Sequence, residues 1–574
     1  MMPSRYDVLK EVVKRSSIAG LLERLGIRSV LGEAVRWFLF AEERRRFRVI
    51  NDDYALCKDT IESLSKDIPA GDPAKPVWMI GGMHTVWGVK LEGILSIAVR
   101  LAGMMPVAIH ATRVQWIQRY HRSFDLEQAL FFEKYEGKVR RSLDGDEWSP
   151  PSQEWTMNEL MELRYRDVDV GRIAVSNHVY NNKFSRFDLS DPGTRAALRA
   201  ELERVRRNVV AAEAMLEDHR PVLGLILEKG ISPFAEIFGV CIADNIPVVQ
   251  YVGSQNTNEY VLKRYLSRNR HQHPFSLDDS TWSASNSIPW STDRAKALMN
   301  EFADSYVRGT WFNRRYLHQD KKIKSRQELI RQLKLDPSKK TAVVFSHILW
   351  DATFFYGTSL FQDYETWLIE TVKAACQNTA LNWVIKLHPD LVWKLKYEKY
   401  SGELRDAIAI RSEIGALPDH ITLVAPDTDI NTFSFFDVTD LCVTVRGTIG
   451  IEMACHGIPV LTAGTGRYSG LGFTVDSKTR EEYFERLAKA HTIPRLSDEQ
   501  CRLAQRFAHT LFMRRPWPAH SFELVKRPMS HVGDPLDTNI VMRMDGTETF
   551  KDASDLVQLA EWIRSDEIDF VRPQ

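Results

Sequence analysis

One sequence phrase occurs twice, and it constrains the fold more than any other feature of the chain. An apolar helix pattern ends in a polar residue or glycine and passes through Ile-Pro-Val into an apolar strand, as ADNIPVVQ at 243–250 and as CHGIPVLT at 455–462. Short buried strands that alternate with helices are typical of doubly wound parallel sheets. The two phrases therefore predict an α/β chain with two Rossmann-like domains, each built on its own open sheet.

The first domain is predicted from a strand, a glycine turn and a helix. VWMI (77–80) is followed by Gly81-Gly82, then by the helical pattern VKLEGILSIAVRLAG and the strand PVAIH. A second unit of the same kind begins with VLGLILEKG (222–230). The polar, Pro- and Ser-rich stretch 265–300 predicts a loop.

The second domain repeats this alternation of strands and helices, with the strands TAVVF, NWVIKLHP and DLCVTV. The turn-like stretch LDPSKK before TAVVF indicates a domain boundary near residue 336. We predict four segments: an N-terminal helical extension (1–75), a first Rossmann-like domain (76–336), a second Rossmann-like domain (337–517) and a C-terminal extension (518–574). Because both sheets are open, a central cleft is expected at the carboxyl ends of their strands.

Charge and cysteine content bear on the class of protein. Lys+Arg and Asp+Glu both number 76, so net charge gives no reason to expect nucleic-acid binding. The six cysteines form no C-x-x-C pair, and no signal peptide or long apolar stretch is apparent, which favours a cytoplasmic protein with reduced thiols. An arginine-rich pattern at 34–48 predicts either a helical cap over a core or a helix lying on the inner face of a membrane.

The strongest local motif is VTVRGTIGIEMACHG, in which Arg446-Gly447-Thr448 makes a tight turn between a strand and a helix. Glycine permits close approach to a ligand, and the free N–H groups at a helix start favour phosphate. Arg446 and Thr448 can also bind phosphate, and Glu452 can accept from a ribose hydroxyl. The alternative is an ordinary strand-to-helix turn with a threonine cap.

A second motif is WVIKLHPD. Lys386 and His388 lie two residues apart on a strand, so their side chains share one face near the end marked by Pro389. His347, in the loop FSHILWD after the first strand of this domain, is a further polar candidate beside Ser346. A cation and imidazoles at such a site suit a nucleotide phosphate, whereas a structural strand-end histidine is the alternative.

Two residues of the first domain are candidates for a general base. Glu228 follows a strand and precedes Gly230, which places a carboxylate at the cleft. His84, in the loop GGMHTVWG, is the rival, although a histidine in such a loop more often positions a substrate. A charged residue in a simple surface loop is the alternative for Glu228.

Asp427 and Asp429 have the D-x-D spacing of a metal-bound sugar nucleotide. They also precede a predicted amphipathic helix, where aspartates at the first turn are expected from capping and dipole effects. We favour capping and predict no metal and no other cofactor.

Over roughly 340–517 the chain resembles the bacterial capsule polysaccharide biosynthesis proteins, which are similar to GT-B glycosyltransferases. The resemblance rests on FSHILWDATFFYG, NWVIKLHPD, ITLVAPDTDINTF, DLCVTVRGTIGIEMACHGIPVLTAG, GFTVDSKTREEYF and FMRRPWP, in the family's order. It implies that His388-Pro389 and Gly447-Thr448 hold the donor nucleotide and that Glu228-Lys229-Gly230 supplies the base. Arg446 stands where many relatives have tyrosine, and His347 where they have asparagine.

The resemblance implies a metal-independent glycosyltransferase of bacterial surface polysaccharide synthesis. Its first domain would hold a glycan or glycolipid acceptor, and its second a nucleotide-sugar donor. Peripheral contact with the inner membrane or with the capsule assembly machinery fits this role. Two alternatives remain: a GT-B-like sugar-nucleotide epimerase or polyol-phosphate transferase, and a non-catalytic assembly or export factor.

Overall fold

The computed structural model describes residues 41–573 with gaps at 82–83, 138, 140–147, 149–154, 183–185, 187, 312–313, 315–320, 351–353, 355, 393–403, 527–534 and 545–547. The predictions that concern residues 1–40 and Gly82 lie outside the described residues. In the described part, helices cover two sheets with parallel cores, which confirms the predicted α/β class with two Rossmann-like domains.

The described strands are numbered in chain order. They are β1 (Asp72–Ile80), β2 (Met104–His110), β3 (Ala129–Phe131), β4 (Leu223–Ile226), β5 (Val248–Gly253), β6 (Glu259–Tyr265), β7 (Thr341–Phe345), β8 (Asn382–Lys386), β9 (Ile421–Val424), β10 (Leu441–Thr444), β11 (Val460–Thr462), β12 (Val475–Asp476), β13 (Pro516–Pro518), β14 (Phe522–Lys526) and β15 (Thr538–Met542).

The α-helices are numbered in the same way. They are α1 (Ala41–Leu64), α2 (Val86–Leu101), α3 (Gln115–Ser123), α4 (Glu133–Glu136), α5 (Met157–Glu162), α6 (Val170–Asn182), α7 (Pro192–Asp218), α8 (Phe234–Ala243), α9 (Asp279–Ser287), α10 (Thr292–Val307), α11 (Arg326–Gln332), α12 (Tyr364–Gln377), α13 (Arg405–Ile414), α14 (Thr448–Cys455), α15 (Arg480–Ala488), α16 (Asp498–His509) and α17 (Ser554–Arg564).

The two large sheets share one strand order at their centres. The first runs β13-β6-β5-β4-β1-β2-β3, with β1 to β5 parallel and β6 and β13 antiparallel. The second runs β12-β11-β10-β7-β8-β9 and is parallel throughout. The order reverses between β1 and β4 and between β7 and β10, and such switch points are where open α/β sheets bind ligands.

The core of the second domain extends beyond the predicted boundary at 336. Leu298 and Phe302 of α10 and Leu329 of α11 are fully buried in one apolar cluster with Val343 and Val384 of the second sheet. The helices α10 and α11 therefore pack with the second sheet. The sequence prediction assigned both to the first domain, because the strand TAVVF marks where a sheet begins and not where its helical cover begins.

The C-terminal segment returns to the first domain. β13 pairs with β6 at the edge of the first sheet, and α17 packs against α2. Asp569 is fully buried and forms ion pairs with Lys263 at 2.9 Å and with Arg515 at 3.0 Å. The described elements β13 and α17 and the buried Asp569 thus belong to the first domain, whereas the sequence predicted a separate extension from residue 518.

Two further predictions concern helices. The loop predicted at 265–300 contains the helix α9, where Trp282 packs edge-on against Phe507 with ring centroids 6.0 Å apart. The predicted N-terminal helix is confirmed over Ala41–Leu64, and its buried Ile50 and Ile61 support the interpretation as a cap over the core. Across the described residues, no helix is both long enough and apolar enough to cross a bilayer.

Candidate functional site

A cavity of about 630 Å³, here called the cleft cavity, lies where the carboxyl ends of both sheets meet. Its lining comes from the ends of β5, β7, β8 and β10, from the start of α14, and from Phe275, Tyr306, Trp311, Arg314, Thr432, Arg467, Phe512 and Lys526. Six predicted residues line it together: His347, Lys386, His388, Pro389, Gly447 and Thr448. Four do not: Glu228, His84, Arg446 and Glu452.

The start of α14 forms one wall of this cavity. Gly447 is the N-terminal cap residue, and α14 begins at Thr448, so N–H groups without an intrahelical partner lie at the cavity. The Tyr468 hydroxyl donates to the Gly447 carbonyl at 2.8 Å and fixes the turn. Gly450 permits this contact, because a Cβ there would lie 2.3 Å from that hydroxyl oxygen. The turn is therefore built to present backbone donors, which suit a phosphate.

Arg467 adds a positive charge beside this helix start, and the sequence analysis missed it. Its guanidinium donates to the Thr448 hydroxyl at 3.1 Å and lines the cavity. Burial lowers the pKa of Arg467, but a guanidinium stays charged at neutral pH. The only sequence signal was its position in the glycine-containing loop AGTGRYSG that follows β11.

Lys386 and His388 lie at the end of β8 on the opposite wall. Lys386 is 3% exposed, and burial, with a smaller effect of Lys321, lowers its pKa to about 7. The His388 backbone N–H donates to the Ser346 hydroxyl at 2.9 Å, while its Nδ1 accepts from the Asp390 N–H at 3.3 Å. Both residues thus line the cavity, as their spacing on the strand predicted, and the Asp390 N–H orients the His388 ring.

His347 follows β7, and its ring stacks on Tyr364 with centroids 4.4 Å apart. The Val445 N–H donates to His347 Nε2 at 3.2 Å, so this nitrogen is an acceptor, and it lies 3.1 Å from the Thr444 hydroxyl. Burial keeps the pKa of His347 well below its usual range, assisted by nearby His388. The neutral ring therefore positions the strand ends beneath the cavity.

Arg446 was predicted to bind charge, but its side chain turns away from the cleft cavity. Its guanidinium donates to the Tyr356 carbonyl and to the Ser359 hydroxyl, and the residue is 8% exposed. Gly466 packs against it, since a Cβ at that position would lie 2.7 Å from the Arg446 Cβ. In this structure Arg446 anchors the loop around residues 356–359.

Glu452 was predicted to accept from a ribose hydroxyl, whereas the structure buries it completely. Its Oε1 accepts from the Arg314 guanidinium at 2.6 Å. Arg314 lies 3.7 Å from the ring centroid of Tyr306 and 4.2 Å from that of Trp311, and it lines the cavity. Glu452 is thus a positioning residue for an arginine that the sequence analysis missed, because a lone arginine outside a motif carries no pattern.

The two candidate bases lie apart from this lining. Glu228 follows β4, and its Oε1 accepts from the Gly230 N–H at 2.9 Å. The Glu228 carboxylate is close enough to Tyr356 and Tyr265 to raise the pKa of both hydroxyls, after the larger effect of burial. His84 is exposed, and its carbonyl accepts from Arg46 of α1 at 3.4 Å. Both base assignments stay predictions.

The two D-x-D aspartates, Asp427 and Asp429, lie near lysine side chains. Asp429 accepts from Lys324 at 2.5 Å and from Gln332 at 3.3 Å. Both aspartates are also close enough to Lys321 to partly offset the lowering of its pKa by burial. A short 3₁₀ helix (Thr432–Asp437) follows in place of the predicted amphipathic α-helix, and Asn431 caps it. Among the described residues, no group of three or more His, Cys, Asp or Glu side chains could hold a metal ion.

The charges around the cleft cavity are strongly unequal. The cationic side chains of Arg314, Lys386, Arg467 and Lys526 line it, whereas Asp390 is the one carboxylate among its described lining residues. Charges that face a closed cavity attract an oppositely charged ligand more strongly than the same charges in open water. The arrangement can therefore hold an extended anion, such as a diphosphate, between α14 and the end of β8.

Comparison with known proteins finds a family that part of the chain is similar to. Residues 295–513 match the family of capsule polysaccharide biosynthesis proteins, which confirms the resemblance seen in the sequence. The matched segment begins in α10 and includes all of the second sheet. No curated protein matches the chain.

Among solved structures, the chain is similar to the β-Kdo 2,4 transferase KpsC of Thermosulfurimonas dismutans, with 12% identity, a TM-score of 0.30, and coverage of 59% of this chain and 87% of that one. It is also similar to the UDP-GlcNAc 2-epimerase of Neisseria meningitidis bound to UDP-GlcNAc, with 10% identity, a TM-score of 0.26, and coverage of 75% and 95%. These scores are too low to assign an activity to this chain.

Proposed function

We propose that this protein is a glycosyltransferase that moves a sugar from a nucleotide-activated donor to a glycan or glycolipid acceptor in bacterial surface polysaccharide synthesis. The observation that carries the proposal is the set of cations that lines the cleft cavity together with the start of α14, at the switch point of the second sheet. The family match over 295–513 supports the pathway. The acceptor and its contact with a membrane are parts of this proposal.

The donor diphosphate would lie between the N–H groups at the start of α14 and the side chains of Lys386, His388 and Arg467. During transfer, an acceptor oxygen bonds to the anomeric carbon while the bond from that carbon to the phosphate oxygen breaks. The electron pair of the broken bond stays on the nucleotide phosphate. Cations that are already in place stabilise this growing charge without reorganisation, which is the main electrostatic advantage of a closed site.

The acceptor hydroxyl must lose its proton, and Glu228 is the preferred base. The carboxylate lies beside Tyr356, a second-domain residue that reaches the carboxyl end of the first sheet. His84 is exposed and contacts α1, so it is the less favoured candidate. Because the cations can neutralise the leaving phosphate, we propose that the reaction needs no metal ion.

The sugar-nucleotide epimerase is the second candidate function, since the same cations of the cleft cavity would hold its substrate. Release of nucleoside diphosphate from nucleotide sugar separates the two functions when it is measured with and without glycan acceptor. A transferase gives release that rises with acceptor and a product larger by one sugar. Conversion of the donor sugar without acceptor would favour the epimerase, and donor binding without either reaction would favour an assembly factor.

A further inference from the structure

A second cavity of about 470 Å³ lies between the two domains, and we call it the arginine pocket. First-domain residues supply most of its lining, from Arg164 and the segment 267–276. The second domain contributes Tyr356-Gly357 and Thr465-Gly466. None of the sequence motifs discussed above predicted this pocket.

The pocket is rich in positive charge. Its lining includes Arg164, Arg268 and Arg270, and no Asp or Glu is among its described lining residues. Two carboxylates contact these arginines. Asp169 is shared by Arg164 at 3.1 Å, Arg270 at 3.3 Å and His271 at 2.8 Å, and Asp278 accepts from Arg268 at 2.9 Å.

One more cation, Arg172, lies close to this lining. Arg172 is near enough to Asp169 and Arg270 for each to influence its pKa. Lys229 is also close, since its Nζ donates to the Gln272 carbonyl at 3.5 Å, but burial holds the pKa of this side chain well below its usual range, and it is not counted as a charge. The carboxylates are therefore outnumbered, and an anion that enters the pocket meets a net positive charge.

The arginine pocket and the cleft cavity share a thin wall. His273 and Tyr356 line the arginine pocket, and their ring centroids lie 4.6 Å apart. His273 stacks on Phe275 at 5.4 Å, and Phe275 lines the cleft cavity. Gly466 and Arg467 are consecutive, and one lines each cavity. Two ligands, one in each cavity, would be separated by a single layer of side chains.

We propose that the arginine pocket binds the negatively charged part of the acceptor, so that the acceptor is an anionic glycan or glycolipid. This inference rests on the proposed glycosyltransferase function. It follows from the positive lining, from the position of the pocket beside the cleft cavity, and from Glu228 next to the Tyr356 wall. The anionic group is a carboxylate or a phosphate, which an arginine fork binds equally well.

Exposed arginines allow a test that leaves the fold intact, because Arg164 and Arg268 are 48% and 59% exposed in their side chains. The full-length protein, saturated with its donor nucleotide, would be titrated with three tetrasaccharide probes: one of glucuronic acid, its carboxyl-reduced neutral counterpart, and that neutral one with a terminal phosphate ester. We expect at least one of the two charged probes to bind, with an affinity that falls as salt is added. The neutral counterpart should bind at least tenfold more weakly, since one lost charged contact costs about tenfold.

The variants R164Q and R268Q should each weaken the charged probe roughly tenfold, and R268K should restore most of the loss. The control is R207Q, on the outer face of α7, whose side chain is 54% exposed. Equal affinity for the charged and neutral probes, or unchanged affinity in R164Q and R268Q, would overturn the inference. Donor affinity is measured on the same samples, so a failure of donor binding itself would contradict the proposed function instead.

Discussion

Glu452 and Arg314 form an ion pair of 2.6 Å that joins α14 to the segment after α10, with the carboxylate fully buried. The pair holds the Arg314 guanidinium against Tyr306 and Trp311 at the edge of the cleft cavity. Removal of one partner from a buried pair leaves an uncompensated charge, which is far more costly than loss of an exposed pair.

The variant E452Q should therefore lower the free energy of unfolding by roughly 3 kcal/mol and weaken donor binding. The matched control is D429N, which breaks the pair of Lys324 with a half-exposed aspartate and should cost less than about 1 kcal/mol. Urea denaturation of both variants measures the difference. Similar small losses in the two proteins would show that Glu452 does not hold a buried charge.

The lowered pKa of Lys386 predicts that the affinity for the donor depends on pH. Burial lowers its pKa to about 7, so the free protein loses this positive charge as pH rises through 7. A bound diphosphate favours the charged form, hence binding takes up a proton above pH 7 and raises the lysine pKa. Affinity for a nucleotide sugar should fall roughly tenfold or more between pH 6 and 8.5.

The variant K386R keeps its charge throughout this range, and its donor affinity should change little with pH. Calorimetry in buffers of different ionisation enthalpy measures the proton uptake directly. A wild-type affinity that stays constant from pH 6 to 8.5 would remove Lys386 from the phosphate site.

Chelation tests the role of metal. Asp429 already accepts from Lys324 and Gln332, so we expect EDTA to leave transfer unchanged and D429N to remain active. The measurement is initial rate with and without EDTA. Loss of activity that manganese or magnesium restores would make Asp427 and Asp429 candidate ligands after all.

The base assignment is tested by E228Q and H84A. Loss of a positioned general base typically costs about 10²–10⁴ in rate, so E228Q should lose about that factor in turnover with donor affinity nearly unchanged. H84A should retain most of its turnover and at most require more acceptor. An active E228Q beside an inactive H84A that still binds donor would transfer the role to His84.

Local sequence patterns predicted the strands that position the site. Apolar runs ended by Gly or Pro located β4, β5 and β8, and the run TAVVF located β7. The spacing of Lys386 and His388 placed both at one wall of the cleft cavity. These signals are local, since a parallel strand buried on both faces reads as a short apolar run. The turn at Gly447-Thr448 was recognised for the same reason.

Long-range contacts were not predictable in this way. The pairing of β13 with β6 and the burial of Asp569 between Lys263 and Arg515 join segments that are distant in sequence. Arg446 was expected at the site, yet its direction is set by partners in another loop, Tyr356 and Ser359. Arginines that reach a cavity from separate elements have no spacing that a single sequence could display.

We propose that the cleft cavity binds a nucleotide-activated sugar through Lys386, His388 and the start of α14. This claim is tested by a screen of nucleotide sugars in thermal unfolding, with wild type, H388A and the control H420A, whose histidine lies outside the cavity. At 100 times its dissociation constant, the correct donor should add about 2.7 kcal/mol to wild type and H420A. H388A should fold normally but need roughly tenfold more donor for the same gain. Stabilisation by no nucleotide sugar, or equal stabilisation of all three proteins at every concentration, would contradict the claim.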